Sequence, residues 1–368
     1  MIANLIVGII AVLLCLFAPN KKGLIASLIV VTAFLALRYE WGNDYGNYLK
    51  WFYEVKDYSL LDIFTNEELS YHGEFLWSAL YFLFRPIGFF GFVIVLSVFE
   101  NWVVYRIISK HVDKKFYWLS MFFYVLTTET FAVGASMMRQ YFCICCFMIV
   151  VELMLDRKLV WSIIIILLCS LVHRSNIFTL AFLPIFYINI KSTKISLPFY
   201  LAFVVFFLIW YNLPTSIISS NIIGFLSVFL SDDMSDYYLH YTEGTLAATN
   251  TGLGQIFSFI VFFVTLYVIP KASKEHQTIF FFFLLSYFFT PLIRFVPLIH
   301  RYALYCVMFT CVVWPLLIKY IKTKPVIIAL TAGQMIITLR TFFHFFHEPV
   351  WFDRFMIYHT IFEAPNWM

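Results

Sequence analysis

Long apolar runs separated by short polar gaps set the pattern of this chain. A helix that crosses a bilayer needs about 20 predominantly apolar residues, fewer if it is recessed. Runs of that kind fall at 2–19, 23–38, 89–108, 116–134, 140–155, 159–173, 176–189, 196–213, 254–270, 278–292, 302–319 and 325–341. They predict an all-α, polytopic integral membrane protein with about twelve transmembrane helices, a single domain over 1–368. The first run lacks a positive start and a small-residue cleavage site, so it reads as a retained span. Two gaps are long. Segment 39–73 is acidic and aromatic, with Glu40, Asp44, Glu54 and Asp57 among Trp41, Tyr45, Tyr48, Trp51 and Tyr53. Segment 214–253 carries an apolar stretch and then Asp232, Asp233, Asp236, Tyr237 and Tyr238. Such aromatics mark membrane interfaces or serve as sugar-stacking faces, and the pattern alone does not separate the two.

The lysines give the sidedness. Lys21 and Lys22, then Lys110, Lys114 and Lys115, Lys158, Lys191 and Lys194, Lys271 and Lys274, and Lys319, Lys322 and Lys324 occupy alternate gaps. The positive-inside rule makes those gaps cytoplasmic and puts both termini and both long gaps outside. Of 15 lysines only Lys50 and Lys56 then lie outside. The apolar segment 74–87 is expected to be a helix at the outer interface, so that the first outer segment runs over 39–87. Counting it as a span would put Lys110, Lys114 and Lys115 outside. The cytoplasmic loops are short. Arg38, Arg139, His173, Arg174, Arg294, His300, Arg301 and Arg340 fall in the opposite gaps, where topology does not call for them. Guanidinium and imidazole gathered there point to an anionic, phosphate-bearing substrate outside the cytoplasm.

Composition narrows the class further. The chain is 62% hydrophobic and 12% charged, against about 25% charged in ordinary domains, so no soluble reading competes. The seven cysteines lie within or at the edges of apolar runs, which implies small buried packing residues and no disulfide framework. No loop carries a P-loop glycine pattern, which argues against nucleotide hydrolysis.

Four constellations could carry chemistry. Arg38 with Gly42, Asp44, Gly46 and Tyr48 follows the second run; it reads as a salt bridge tying a loop to a helix end or as a catalytic contact. Met138-Arg139-Gln140-Tyr141 follows the small residues 132–136, which invite close approach. His173-Arg174-Ser175-Asn176 joins two short runs, and Ser175 and Asn176 read as an N-cap. Run 159–172 reaches about 21 Å, against a core of about 30 Å, so the turn is expected in a recessed, wet cavity. Pro291 and Pro297 break the fourth, an apolar stretch that presents Arg294, His300 and Arg301. Near the C-terminus, Arg340 and His344 stack at i, i+4. His344, His347 and Glu348 approach metal-ligand spacing without the usual zinc signature, so no metal is expected.

The order of these pieces resembles the EpsG family, and more broadly the Wzy-type polymerases of bacterial surface polysaccharides. The residues that carry it are Arg38, Gly42, Asp44, Tyr45 and Tyr48; Arg139-Gln140; His173-Arg174-Ser175; and Arg301 with Tyr305. Arg174 stands where many members have lysine. The family's terminal Pro-Tyr is replaced here by Tyr358-His359-Thr360. The resemblance implies a glycosyltransferase that polymerises undecaprenyl-pyrophosphate-linked oligosaccharide repeats at the outer face of the bacterial cytoplasmic membrane. Membrane lipid, a chain-length regulator and a flippase would be its partners, with no nucleic acid. Such a transfer needs cations on the pyrophosphate and an acceptor for a hydroxyl proton, and on those grounds neither cofactor nor metal. Arg38, Arg139, Arg174, Arg294, Arg301 and Arg340 are the expected pyrophosphate ligands; Asp44, His173 and His300 are the candidate bases. A flippase for lipid-linked glycan, or another lipid-donor glycosyltransferase or ligase, would use similar residues.

Overall fold

The computed structural model describes residues 1–66, 69, 74–188, 202, 205–206, 209, 253–293 and 299–364. The expected span at 196–213 and the second outer segment at 214–253 lie almost wholly outside the described residues. Two compact units emerge: Met1–Tyr187 with Thr310–Leu316 and Thr331–Met368, and Ile188–Phe309 with Leu317–Leu330.

The first unit opens on an antiparallel helix pair, α1 (Ile2–Phe17) and α2 (Lys21–Ala36). Asn20 starts α2: its side-chain oxygen accepts from the Lys22 N–H (2.8 Å) and the Gly23 N–H (3.2 Å), satisfying two orphan donors. A two-residue strand β1 (Arg38–Tyr39) follows, then α3 (Tyr45–Val55), α4 (Leu60–Thr65), α5 (Phe75–Phe84) and α6 (Gly88–His111). Helix α5 folds back along the start of α6 through Arg85–Ile87 and Gly88, whose φ of +73° suits glycine. The Phe92 ring lies 5.2 Å from both Trp77 and Tyr81. In one straight helix Trp77 and Phe92 would stand about 22 Å apart. Trp41, Tyr45, Tyr48, Phe52, Trp77 and Tyr81 are all buried. These six rings therefore form a packed core of their own, while Tyr58 and Phe64 are exposed.

Helices α7 (Tyr117–Leu126), α8 (Ala132–Ser136), α9 (Met138–Leu155) and α10 (Leu159–Val172) complete the bundle, followed by a 3₁₀ run, Arg174–Tyr187. The run expected as one helix over 116–134 is broken. Thr130 Oγ1 donates to the carbonyls of Tyr124 and Thr127, both at 2.9 Å, and a side chain that bonds its own backbone competes with the helix ladder. Asn176 does not cap as expected either. Its side-chain amide donates back to the Ile166 carbonyl at 2.9 Å, tying the 3₁₀ run to α10.

In the second unit, α11 (Leu253–Val268) packs on α12 (Lys274–Ile293), and α13 (Ile299–Val307) packs on α12. Phe282 stacks on Phe309 with centroids 5.3 Å apart, and Tyr320 meets the His276 ring nitrogen at 2.6 Å. Helix α14 (Thr310–Tyr320) and helix α15 (Lys324–Phe345) each contribute residues to both units. The run expected over 302–319 is therefore two helices. A short helix α16 (Pro349–Phe355) and strand β2 (His359–Thr360) end the first unit.

The fold is all-α apart from the two-residue strands. By length and composition, Phe75–His111, whose α6 part alone is 24 residues long, Met138–Leu155 and Lys324–Phe345 qualify among the described residues as membrane spans, with a fourth if His300–Val307 and Thr310–Tyr320 act as one. Ile2–Phe17, Leu159–Val172 and Ile256–Lys271 are apolar but shorter. The expected count of twelve is thus not reproduced by helix length alone. All seven cysteines are buried free thiols.

Candidate functional site

The segment that follows α2 is locked from both sides. Its strand β1 pairs antiparallel with β2, Arg38 opposite Thr360 and Tyr39 opposite His359. The Gly42 N–H donates to the Arg354 carbonyl (3.0 Å), the Trp41 indole N–H to Phe355 (3.2 Å), and the Tyr358 hydroxyl to Phe34 (2.5 Å). On the other side the loop lies against α8. Gly42 adopts φ +116°, and a Cβ placed there would come within 3.0 Å of the Ser136 Cα. The small residues 132–136 do admit a close neighbour, and glycine meets both the steric and the conformational demand. The Asp44 N–H then donates to Ser136 Oγ at 3.2 Å. One turn further along α3, the Tyr48 ring lies 5.8 Å from the Arg139 guanidinium carbon.

Arg38 serves this architecture from below. It is 1% exposed. Its guanidinium donates to the Leu35 carbonyl, to Ser97 Oγ (3.2 Å) and to the Ala135 carbonyl (3.3 Å). It thus joins α2, α6 and α8 at one point. The carboxyl of Glu100, three residues beyond Ser97 on α6, is buried nearby. A polar ladder continues along α6, with Asn101 accepting from the Tyr124 hydroxyl at 3.1 Å. The structure places Arg38, expected as a pyrophosphate ligand, inside this knot of protein groups.

The charged residues that converge do so on a group the sequence pattern had left aside, Glu74. This carboxylate is 5% exposed. Its Oε2 accepts an ion pair from Arg139. Its Oε1 accepts the Arg174 backbone N–H at 2.8 Å and meets His173 Nδ1 at 3.1 Å. Residues at the starts of α5 and α9 and at the end of α10 are therefore held on one side chain. His173 is extended (φ −151°, ψ 108°), which ends α10, and its N–H caps the Cys169 carbonyl at 2.8 Å. The Cys143 thiol donates to the same carbonyl (3.4 Å) and so ties α9 to that cap. His173 is 6% exposed, the Arg139 side chain 12%, while Arg174 is exposed. The site thus has a buried carboxylate–imidazole–guanidinium floor with a cation at its rim. An imidazole that donates Nδ1–H to a carboxylate carries its lone pair on Nε2 and can accept a proton there.

Not every expected site residue is gathered here. His300 and Arg301 open α13 in the second unit, and Arg294 lies outside the described residues. Arg340 is exposed on α15 and is not among the groups Glu74 holds. One turn on, His344 pairs with Glu348 at 2.9 Å, and His347 bonds the Phe343 carbonyl. Among the described residues, no cluster of three donors could hold a metal ion. The signal for Glu74 was present in the sequence: a lone carboxylate at the head of the apolar stretch Phe75–Phe84. A charge in such a position survives only when paired.

A family model described as the EpsG family matches residues 23–360, nearly the whole chain. No curated protein and no solved structure matches it.

Proposed function

Because the chain belongs to the EpsG family, we propose that it joins undecaprenyl-pyrophosphate-linked oligosaccharide repeats into polymer at the outer face of the bacterial cytoplasmic membrane. The family is associated with polysaccharide polymerisation in exopolysaccharide biosynthesis, and the apolar helices mark a multi-pass membrane protein. The observation that carries the proposal is the pairing of a carboxylate-held imidazole, His173, with the adjacent exposed guanidinium of Arg174. Glycosyl transfer from a lipid pyrophosphate needs that pair of functions. An acceptor hydroxyl attacks the anomeric carbon, the bond from that carbon to the pyrophosphate oxygen breaks, and the lipid pyrophosphate leaves with the electron pair. The hydroxyl proton passes to His173 Nε2. Arg174 neutralises the leaving pyrophosphate, by the bidentate geometry a guanidinium offers phosphate oxygens.

Arg139 contributes a second, partly neutralised cation at the floor. Arg294 and Arg301 are further proposed pyrophosphate ligands on the strength of the sequence alone. Arg38 acts by positioning; Asp44 and His300 are the alternative bases and Arg340 a further pyrophosphate ligand on the strength of the sequence. Purified protein given a defined lipid-linked repeat tests the reading, with products resolved as a ladder on gels. Arg174→Ala and His173→Ala are each expected to slow polymerisation by about 100-fold, in line with the loss of one charge-stabilising or proton-accepting group. Arg174→Lys should restore part of the rate. Wild-type ladders from both alanine variants would contradict the assignment.

A further inference from the structure

We infer that Glu74 is the positioning residue of this site, fixing both the tautomer of His173 and the place of Arg139; the inference rests on the transfer reading above. Three separate elements bring their polar groups to its two oxygens. Oε1 takes the His173 Nδ1 contact (3.1 Å) and the Arg174 N–H (2.8 Å), and Oε2 takes Arg139. A carboxylate that serves only as a structural counter-ion for Arg139 would need one oxygen. Here the second oxygen binds the proposed base and the backbone of the residue beside it. The backbone bond fixes the turn, so the imidazole cannot swing without breaking it. The ring contact makes Nδ1 the donor, which leaves Nε2 as the proton acceptor. The arrangement has the logic of a base oriented by a third group.

The groups around the imidazole decide the sign of the pH effect. From α5 Glu74 presents its negative charge. From α9 come Arg139, with the Tyr48 ring of α3 against it, and the thiol of Cys143, and from the following turn Arg174. Removing the Glu74 charge leaves the two arginines to disfavour the imidazolium, so the His173 pKa falls. The base form then persists to lower pH, and the acid limb of the rate profile moves to lower pH.

Polymerisation rates measured from pH 5 to 9 on purified full-length protein test this, with Glu74→Gln, Glu74→Asp and His173→Ala beside wild type. Binding of undecaprenyl pyrophosphate and the thermal midpoint are recorded for each. Glu74→Gln is expected to lower the maximal rate by about 100-fold, the scale of a misoriented general base, and to move the acid limb downward. Lipid pyrophosphate binding should change less than tenfold. Glu74→Asp keeps the charge on a shorter arm; it should lose rate while holding the acid limb closer to its wild-type position. If Glu74→Gln does not fold, the Glu74→Asp profile decides, and a wild-type rate there overturns the inference. A wild-type rate and acid limb in folded Glu74→Gln, with His173→Ala inactive, overturns the role of Glu74 and leaves the transfer site standing. Wild-type activity in His173→Ala overturns both.

Discussion

Arg38, Glu74, Arg139 and His173 all carry charge-bearing groups into places where water is scarce, and each is held by partners contributed by other elements. Their roles differ by what encloses them. Arg38 binds two backbone carbonyls and a serine hydroxyl and is sealed from above by the loop it supports. Replacing it by Met leaves buried acceptors without their donor. A cost of about 1–3 kcal/mol follows for a stranded buried group. Arg38→Met should therefore lower the thermal midpoint in detergent, while polymer formed per folded molecule falls less than in Arg174→Ala. A variant as stable as wild type yet inactive would return Arg38 to the substrate. At this scale the sequence was partly legible. His173 and Arg174 stood out because charged residues interrupt an apolar hairpin, and Arg139 because it follows a small-residue stretch. Glu74 showed only as a lone carboxylate ahead of an apolar stretch; its partners lie 65 to 100 positions away and no local spacing encodes them.

The helices follow the hydrophobic pattern closely wherever local and tertiary preferences agree. Met138–Leu155 and Leu159–Val172 begin and end within two residues of the expected runs. Departures occur where side chains bond the backbone: Thr130 stops the helix expected to run to 134, and Asn176 reaches back to Ile166. The tail was the least legible element. Nothing in Tyr358-His359-Thr360 announces a strand, since its partner is the equally short Arg38–Tyr39. Yet this pairing, with the Tyr358 hydroxyl on Phe34 and the Ile361 N–H on Leu37, clamps the loop that carries Asp44 and Tyr48. Ending the chain at Met356 should leave the helices folded but free that loop. Proteolysis within 38–48 should rise, and polymerisation should fall at least about tenfold, because catalysis tolerates little misplacement. A truncated protein with full rate and a protected loop would show that the clamp is dispensable.

At the scale of the whole molecule, the pattern of lysines against arginines predicts that the Glu74 site faces away from the cytosol. Helix length alone does not give the number of crossings, because Leu159–Val172 and Ile2–Phe17 are shorter than a full bilayer core. A chain that hangs its chemistry on short, paired helices places turns such as His173–Arg174 inside the protein, where a polar floor can form. The fold class was therefore readable from hydropathy, while the site's floor required the tertiary contacts of Glu74. The native cysteines are all buried, so a thiol introduced by Arg174→Cys is a clean reporter of the central claim. Intact cells or spheroplasts are treated with a membrane-impermeant maleimide, with and without added undecaprenyl pyrophosphate. The account predicts labelling at position 174 from the outer side, suppressed by the lipid pyrophosphate. Labelling only after the membrane is permeabilised, or labelling that the lipid leaves unchanged, would contradict it.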